Sequence, residues 1–375
     1  MAEQQHQEET PIHGDVLEAV LSHVPLIDLL PAYYVSKSWK RAVSSSLLHV
    51  NTIKPWLIVH AQSTRSPYSI TTHAYDPRSR VWIQIHRPSV VNSISALRSS
   101  HSTLLYMLSP SKFAFSFDPL HHTWHHADPP LVWRADPIVA MVGHLIVVAG
   151  GACDYEDDPL AVEIYDLKSR AWERCDSMPS ILKDSASSTW LSIAVDGYKM
   201  YVTEKCSGTT YAFNPSSKTW FGPFDLRPEP TGFCWAIGFA GGSMLVVGLL
   251  GNSEDVKSLK MWEVRGESLE CKEIGEMPTS LVEKLKSDSP YVSSIAMSTM
   301  GNFVYLHNQS DPREVIQCEI VDGMCRWGSV RNAVVNDTTR MQRMVLSCGD
   351  VGMKDLHMGM AMGLKTRNLE VIHSD

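Results

Sequence analysis

The pattern of hydrophobic and polar positions changes near residue 50. From residue 11 to residue 47, apolar residues recur three and four positions apart, which is the spacing of one helix face. Three short helices are predicted, with Val16 and Val20 in the first and Trp39 in the third. Asp28 is expected to cap the second helix, with Pro31 in its first turn. A unit this small rarely folds unaided, so we expect it to lean on a partner or on the rest of the chain.

Beyond residue 50 the chain is a series of short β-type runs separated by Gly, Pro, Asn and Asp turns. The runs repeat: an aromatic or apolar residue, often followed by Asp-Pro or Asn-Pro, stands seven positions before the end of each repeat. Successive repeat ends are 42, 48, 48, 49 and 58 residues apart, at Trp82, Trp124, Trp172, Trp220, Leu269 and Trp327. A period of about 40–50 residues indicates a β-propeller. Each tryptophan is expected to begin an outer strand and to wedge against the next blade.

The repeats predict an all-β propeller of about six four-stranded blades behind a small three-helix domain. The first blade lacks its innermost strand, because the helices come directly before Trp56. Met344–Cys348 is the expected replacement, which would close the ring by joining the two ends of the chain. The boundaries we expect are a disordered segment 1–10, a helical domain 11–50, a propeller 51–350 and a C-terminal tail 351–375 with room for a short helix.

One stretch has the composition of a membrane-spanning segment. Residues 230–253 carry no charge, and the part from Phe233 to Leu250 is mostly apolar. Gly238, Gly241 and Gly242 interrupt it, so we interpret it as two buried strands joined by a Gly-Gly turn. The first residues are acidic and contain no apolar core, which argues against a signal peptide.

Composition excludes several classes of function. The 33 Lys and Arg against 41 Asp and Glu give a formal net charge of −8, which argues against nucleic-acid and membrane-surface binding. The eight cysteines are scattered and form no CxxC pair, so reduced thiols in the cytoplasm or the nucleus are expected. We find no GxSxG elbow, Walker loop or HExxH motif.

The two parts together resemble the plant F-box/kelch-repeat proteins. Residues 35–39 of the head, Val-Ser-Lys-Ser-Trp, follow the F-box order, and Gly150-Gly151 is the kelch di-glycine at the end of a second strand. The resemblance implies a kelch-type propeller and a non-catalytic subunit that binds a Skp-type adaptor of a cullin–RING ubiquitin ligase and captures a protein substrate, without a cofactor. The adaptor-binding residues it implies are Pro11, Ile12, Val16, Leu17, Val20, Leu21, Pro25, Leu29, Leu30 and Trp39.

Within that family, three segments are similar to members that mark chalcone synthase for degradation: Ser99–Tyr106, Ser185–Ser192 and Lys199–Lys205. A phenylpropanoid or flavonoid enzyme is therefore one expected target, although no physical feature of the sequence points to it. Two alternatives remain open. One is a kelch scaffold without ligase coupling, whose helical head is merely a cap on the propeller. The other is a propeller metalloenzyme.

Two motifs look like metal or catalytic sites. His121, His122, His125 and His126 surround Trp124, and imidazoles at such spacing can bind zinc. We interpret them instead as a solvated hairpin around a blade tryptophan. The acidic run Asp154–Asp158 follows the di-glycine and is interpreted as a plain acidic loop. No metal site is therefore assigned.

Recognition is expected on one face of the propeller, where the loops after the second strands meet the loops leading into the innermost strands. Loops tolerate variation and commonly carry binding residues. Their charges alternate in sign around the ring, which favours a mixed-charge protein partner over a polyanion. The substrate-binding candidates are Asp154, Glu156, Lys183, Glu204, Arg227 and Arg313.

Overall fold

The computed structural model describes residues 14–65, 69–86, 95–151, 158–266, 269–287, 291–335, 342–361 and 369–372. Its strands form six antiparallel sheets, one of five strands and five of four. The innermost strands of neighbouring sheets contact each other all the way round a ring. The predicted six-bladed propeller is confirmed.

The strands follow the blades in order along the chain. Blade one begins with β1 (Trp56–Ser63), β2 (Ile70–Asp76) and β3 (Val81–Ile85). Blade two is β4 (Leu97–His101), β5 (Leu104–Ser109), β6 (Lys112–Ser116) and β7 (His125–Ala127); blade three is β8 (Ile138–Val142), β9 (Leu145–Ala149), β10 (Val162–Asp166) and β11 (Ala171–Cys175). Blade four is β12 (Leu191–Val195), β13 (Met200–Glu204), β14 (Thr209–Asn214) and β15 (Thr219–Asp225). Blade five is β16 (Gly232–Ala240), β17 (Ser243–Gly251), β18 (Val256–Arg265) and β19 (Glu270–Glu276); blade six is β20 (Ile295–Met300), β21 (Phe303–Asn308), β22 (Glu314–Val321) and β23 (Met324–Arg331).

Blade one is completed by two strands from the end of the chain. β24 (Gln342–Gly349) is its innermost strand and pairs antiparallel with β1, with Cys348 opposite Leu57. The expected closure through Met344–Cys348 is confirmed. A strand that we did not predict, β25 (Leu369–Ile372), pairs with β3 on the outer edge and makes this blade five-stranded.

The blade tryptophans face the preceding blade, so the expected contact with the next blade is wrong. The indole nitrogen of Trp172 donates to the carbonyl oxygen of Asp128 at 2.9 Å, and that of Trp220 to Asp176 at 3.2 Å. Trp82 makes the same bond across the closure, to Arg331 at 2.9 Å. In each case the acceptor lies at or just after the outermost strand of the blade before, so the indole bridges two blades.

The repeat is least regular in blades two, five and six. In blade five Trp262 pairs with Glu273, so the predicted repeat end Leu269 lies before β19 and not opposite Trp262. Trp124 lies just before β7 and packs beside Leu97 and Val345, between blades one and two. In blade six a tight turn places Trp327 opposite Cys318, whereas the sequence spacing had aligned it with Ile320. The shorter turn changes the register, so the seven-residue spacing there is coincidental.

The uncharged stretch forms β16 and β17, as predicted. The residues of the turn between them, Gly241 and Gly242, have φ values of 63° and 81°, in the left-handed region that favours glycine. Within the described residues, no helix is long and apolar enough to span a membrane.

The head contains α1 (Asp15–Ser22), α2 (Leu26–Tyr33) and α3 (Lys37–Ser45), followed by one π-helical turn, Ser46–Val50. Ser36 caps α3, since its hydroxyl accepts a bond from the backbone N–H of Trp39 at 3.2 Å. The expected Asp28 cap is wrong. The extended Pro25 starts α2 earlier, so Asp28 lies in the first turn and Pro31 lies inside the helix.

The head packs on blade one through a shared core. Leu21, Leu29 and Val43 are buried against Trp56 and Ile58 of β1. The segment after the ring adds α5 (Met353–Ala361), which contacts α2. Two further short elements lie in loops of the propeller: a 3₁₀ helix, Ser180–Ser185, and α4 (Thr279–Lys286).

Candidate functional site

The surface of the head is unusually apolar. Six of the 13 exposed large apolar side chains in the described part of the chain lie between residues 14 and 50, which is about a tenth of its length. Exposed apolar groups at this density mark interaction surfaces. They are Val16, Val20, Tyr34, Val35, Leu48 and Val50, with exposed fractions of 50–67%.

The implied adaptor-binding residues divide into two groups. Leu17, Leu21, Leu29 and Leu30 are at most 4% exposed, so they form the core of the head and cannot touch a partner directly in this fold. Val16 and Val20 are exposed, and Pro25 is half-buried. Trp39 is also half-buried and packs against the shared core. Pro11 and Ile12 lie outside the described residues.

One face of the propeller, which we call the loop face, gathers the loops that precede each innermost strand and follow each second strand. The antiparallel order of every blade places these two sets of loops together. The di-glycine follows β9 at this face: Gly151 donates its N–H to the carbonyl oxygen of Ala186 at 2.7 Å. A Cβ on Gly150 would clash with that same oxygen, so only glycine fits there. The head lies on the other side, because it enters the propeller at the start of β1.

Most of the charged substrate-binding candidates described on the loop face form ion pairs or hydrogen bonds with residues close to them in sequence. Arg227 forms a two-pronged ion pair with Asp225, with both N–O distances 2.7 Å. Arg313 is paired in the same way with Asp311. The carboxylate of Glu204 accepts the backbone N–H of Ser207 at 2.6 Å. Lys183 is exposed on the 3₁₀ helix, whereas Asp154 and Glu156 lie outside the described residues.

The side chains of the predicted histidine cluster contact different partners and do not surround a common centre. His121 bonds to Asp118 with 2.9 Å between Nδ1 and Oδ2. His122 lies tilted against the buried His60, with ring centroids 4.7 Å apart and 3.1 Å between its Nε2 and the Nδ1 of His60. His125 instead stacks on Phe115. Among the residues that the structure describes, no group of three or more His, Cys, Asp or Glu side chains is arranged to hold a metal ion.

At the centre of the loop face the ring of innermost strands opens into a cavity of about 350 Å³. We call its rim, formed by Arg98, Asp136, Lys205, Gln309 and Arg343, the channel mouth. The Asp136 carboxylate is fully engaged. It pairs with Arg98 and accepts the hydroxyls of Ser188 at 2.6 Å and Thr189 at 3.0 Å. It forms its ion pair with Arg98, and its negative charge also acts on Lys205 and Arg343 without direct contact.

The other two cations of the mouth form no ion pair with a described carboxylate. The ammonium of Lys205 is held by the neutral Gln309 at 3.2 Å, and this side chain is only 5% exposed. Arg343 is exposed and forms no ion pair with any residue in the described ranges. Partial burial of its guanidinium and the like charge of Arg98 lower the pKa of Arg343, and burial lowers the pKa of Lys205. For both groups the effect of burial outweighs the favourable negative charge of Asp136.

His101 and His307 line the cavity further in. Burial lowers the pKa of both to about 4, so they are neutral near pH 7. The described lining of the cavity therefore carries three cations and one carboxylate, in a chain whose overall charge is −8. Sequence analysis missed this cluster. A usable signal was the polar β4, in which Arg-Ser-Ser-His follows Leu97.

Comparison with known proteins gives a clear relative. The chain is 45% identical over 366 residues to an F-box/kelch-repeat protein of Arabidopsis thaliana, covering 93% of this chain and 92% of the relative. A second Arabidopsis thaliana protein of the same group is 29% identical over 122 residues, or 32% of this chain and 30% of that one. No family model matches.

Solved structures are similar only in outline. A candidate 6-phosphogluconolactonase of Bacteroides fragilis has a TM-score of 0.41 at 13% identity, covering 79% of this chain and 98% of its own. YjhT has a TM-score of 0.38 at 13% identity, covering 55% of this chain and 68% of its own. Neither likeness bears on function. The identity to the first relative extends through both the helical head and the propeller, and on that ground the chain belongs to the F-box/kelch-repeat proteins.

Proposed function

We propose that this chain is the substrate-recognition subunit of a Skp–cullin–F-box ubiquitin ligase. The head binds a Skp-type adaptor, and the loop face of the propeller captures a protein for ubiquitination. The observation that carries the proposal is the apolar surface of the head, which stays exposed although the head already shares a core with blade one. A cap whose only task was to cover the propeller would not need it.

The adaptor test substitutes exposed residues only. Val16→Glu and Val20→Glu each place a charge in the expected interface without disturbing the core, since these side chains are 62% and 50% exposed. We expect each to reduce capture of a purified Skp-type adaptor by the full chain at least tenfold, because burying an unpaired carboxylate is costly. Tyr198→Glu is the matched control: it is 81% exposed and lies on blade four, far from the head.

Unchanged adaptor capture by both head variants, with circular dichroism equal to that of the wild type, would contradict the proposal. No capture by the wild-type chain would favour the scaffold alternative. Stoichiometric copper or another transition metal in the purified chain would favour the metalloenzyme alternative.

The target is to be identified by capture under proteasome inhibition. Nothing in the described contacts selects chalcone synthase over another protein, so a flavonoid enzyme enters the experiment as one candidate. Cytoplasmic or nuclear action is part of the proposal. Support comes from the cysteines, since the seven that the structure describes are all free thiols. A fluorescent fusion expressed in plant cells tests this location.

A further inference from the structure

The channel mouth is a concave part of the loop face where, among the described residues, two cations have no ion-pair partner. Arg227 and Arg313 also lie on that face, but each is neutralised by its own aspartate two residues earlier. At the mouth, Asp136 pairs directly with Arg98, while Lys205 and Arg343 face the cavity and form no ion pair with a carboxylate in the part of the chain that the structure describes. Concave sites with cations of one sign concentrate field lines and attract anions.

The mouth is held in place by its surroundings. A fully buried ion pair between Arg134 and Glu163 fixes the loop that carries Asp136. Glu163 also accepts the backbone N–H of Leu131 at 2.8 Å. The backbone N–H of Lys205 donates to the carbonyl oxygen of Trp190 at 2.9 Å, which ties the lysine to the neighbouring loop. Preorganised donors bind an anion without first paying an ordering cost.

An exposed apolar side chain lies next in sequence to residues of the cavity lining. Trp190 is 50% exposed although tryptophan is usually buried, and its neighbours Thr189 and Leu191 line the cavity. Tryptophan, tyrosine and arginine are the residue types most enriched among those that dominate the binding energy of protein interfaces. The cavity of about 350 Å³ admits a side chain but not a nucleic-acid duplex.

We propose that the channel mouth binds an anionic side chain of the target protein, held between Arg343 and Lys205, with an adjacent apolar residue of the target against Trp190. The anion is a carboxylate or a phosphate monoester, which share this recognition chemistry. The inference rests on the proposed function, since it names the subsite through which the propeller takes its target.

Peptide libraries test the subsite directly. Three fluorescent dodecapeptide libraries differ only in a fixed central residue, which is Glu, Gln or phosphoserine, flanked by degenerate positions. The full-length chain is immobilised, and retained peptide is measured at 50 and at 200 mM salt. We expect the Glu or the phosphoserine library to be retained at least tenfold over the Gln library, with less retention at high salt.

Variants assign the effect to the mouth. Arg343→Glu should reduce retention of the preferred library at least tenfold. This side chain is exposed, so the fold should survive the substitution. Arg265→Glu makes the same change in charge at the end of β18 on the opposite face and should have no effect. The library that is preferred identifies the anion as carboxylate or phosphate.

Two outcomes would overturn the inference: equal retention of all three libraries, and a preference that survives Arg343→Glu. Capture of the Skp-type adaptor is measured on the same variants. Arg343→Glu should leave it unchanged, since the head lies on the other side. A chain that binds anionic peptides but no adaptor would refute the proposed function and leave the subsite standing.

Discussion

Arg78 clamps the head to the propeller, and its replacement by Ala should loosen the head. The side chain is 6% exposed in the turn between β2 and β3. Its guanidinium donates to three backbone carbonyl oxygens of the head and the following segment, at 2.6 Å to Val24, 3.1 Å to Leu21 and 2.9 Å to Asn51. Leu21 and Val24 lie at the C-terminal end of α1, where a cation is favourable.

The magnitude follows from these three bonds. A hydrogen bond to a charged group contributes about 1.5–3 kcal/mol, and a buried acceptor left without a partner loses its solvation as well. The three acceptors are close together, so their contributions are not additive. We therefore expect Arg78→Ala to cost about 3–5 kcal/mol in the free energy that holds the head on blade one, a large fraction of a typical domain stability of about 5–15 kcal/mol.

Hydrogen–deuterium exchange reports this loss locally. Amides of α1 to α3 that exchange through opening of the head should exchange at least 100 times faster in Arg78→Ala. The factor follows from the expected cost of about 3–5 kcal/mol, because about 1.4 kcal/mol corresponds to a tenfold change in an equilibrium constant. Amides of blade four should be unaffected. Arg80→Ala is the control, because Arg80 is exposed two residues further on in the same turn. Unchanged exchange in the head of Arg78→Ala, or an equal effect of Arg80→Ala, would refute the clamp.

Two further predictions concern the propeller. Removal of residues 342–375 takes away β24 and β25, so the opened ring should aggregate on expression. Removal of residues 1–10 is the control and should leave the melting temperature unchanged. A soluble 342–375 deletion variant with the wild-type melting curve would contradict closure by β24. The free energy of unfolding should fall as pH drops from about 6.5 towards about 4, because the pKa of His307 is lowered to about 4 by burial and the unfolded chain alone binds the proton over that window. In urea titrations, His307→Gln should reduce this loss of unfolding free energy between the two pH values by on the order of 1–3 kcal/mol. An unchanged loss would contradict the prediction.

The propeller could be predicted because its signals are local and repeated. Tyr75 and Trp82, or Phe213 and Trp220, are partners across one hairpin, so seven positions along the chain fix their pairing. Closure was predictable for a topological reason: blade one lacked an inner strand, and Met344–Cys348 was an apolar run without a blade. The direction in which the tryptophans pack was not predictable, because both neighbouring blades offer apolar surface.

The remaining features depend on contacts that are distant in sequence. Leu369–Ile372 is too short to show a strand period and becomes a strand only because β3 offers a free edge. Arg98, Lys205 and Arg343 come from blades two, four and one, and no local pattern joins residues so far apart. The start of α2 shows a local competition, in which Pro25 overrode the capping preference of Asp28. Buried Leu17 and exposed Val16 are neighbours, and only the packing on blade one separates their roles.

The attachment of the head also constrains how a ligase would use this chain. The segment between the π-helical turn and β1 is short, and Ile53 within it packs into the shared core, so head and propeller are joined without a flexible linker. The channel mouth lies on the opposite side, one innermost strand away, which for strands of five to nine residues is roughly 17–30 Å. A target held at the mouth would therefore keep a fixed position relative to the adaptor. Under the proposed function, the reach of the target's own lysines, rather than motion of the receptor, would decide which of them is modified.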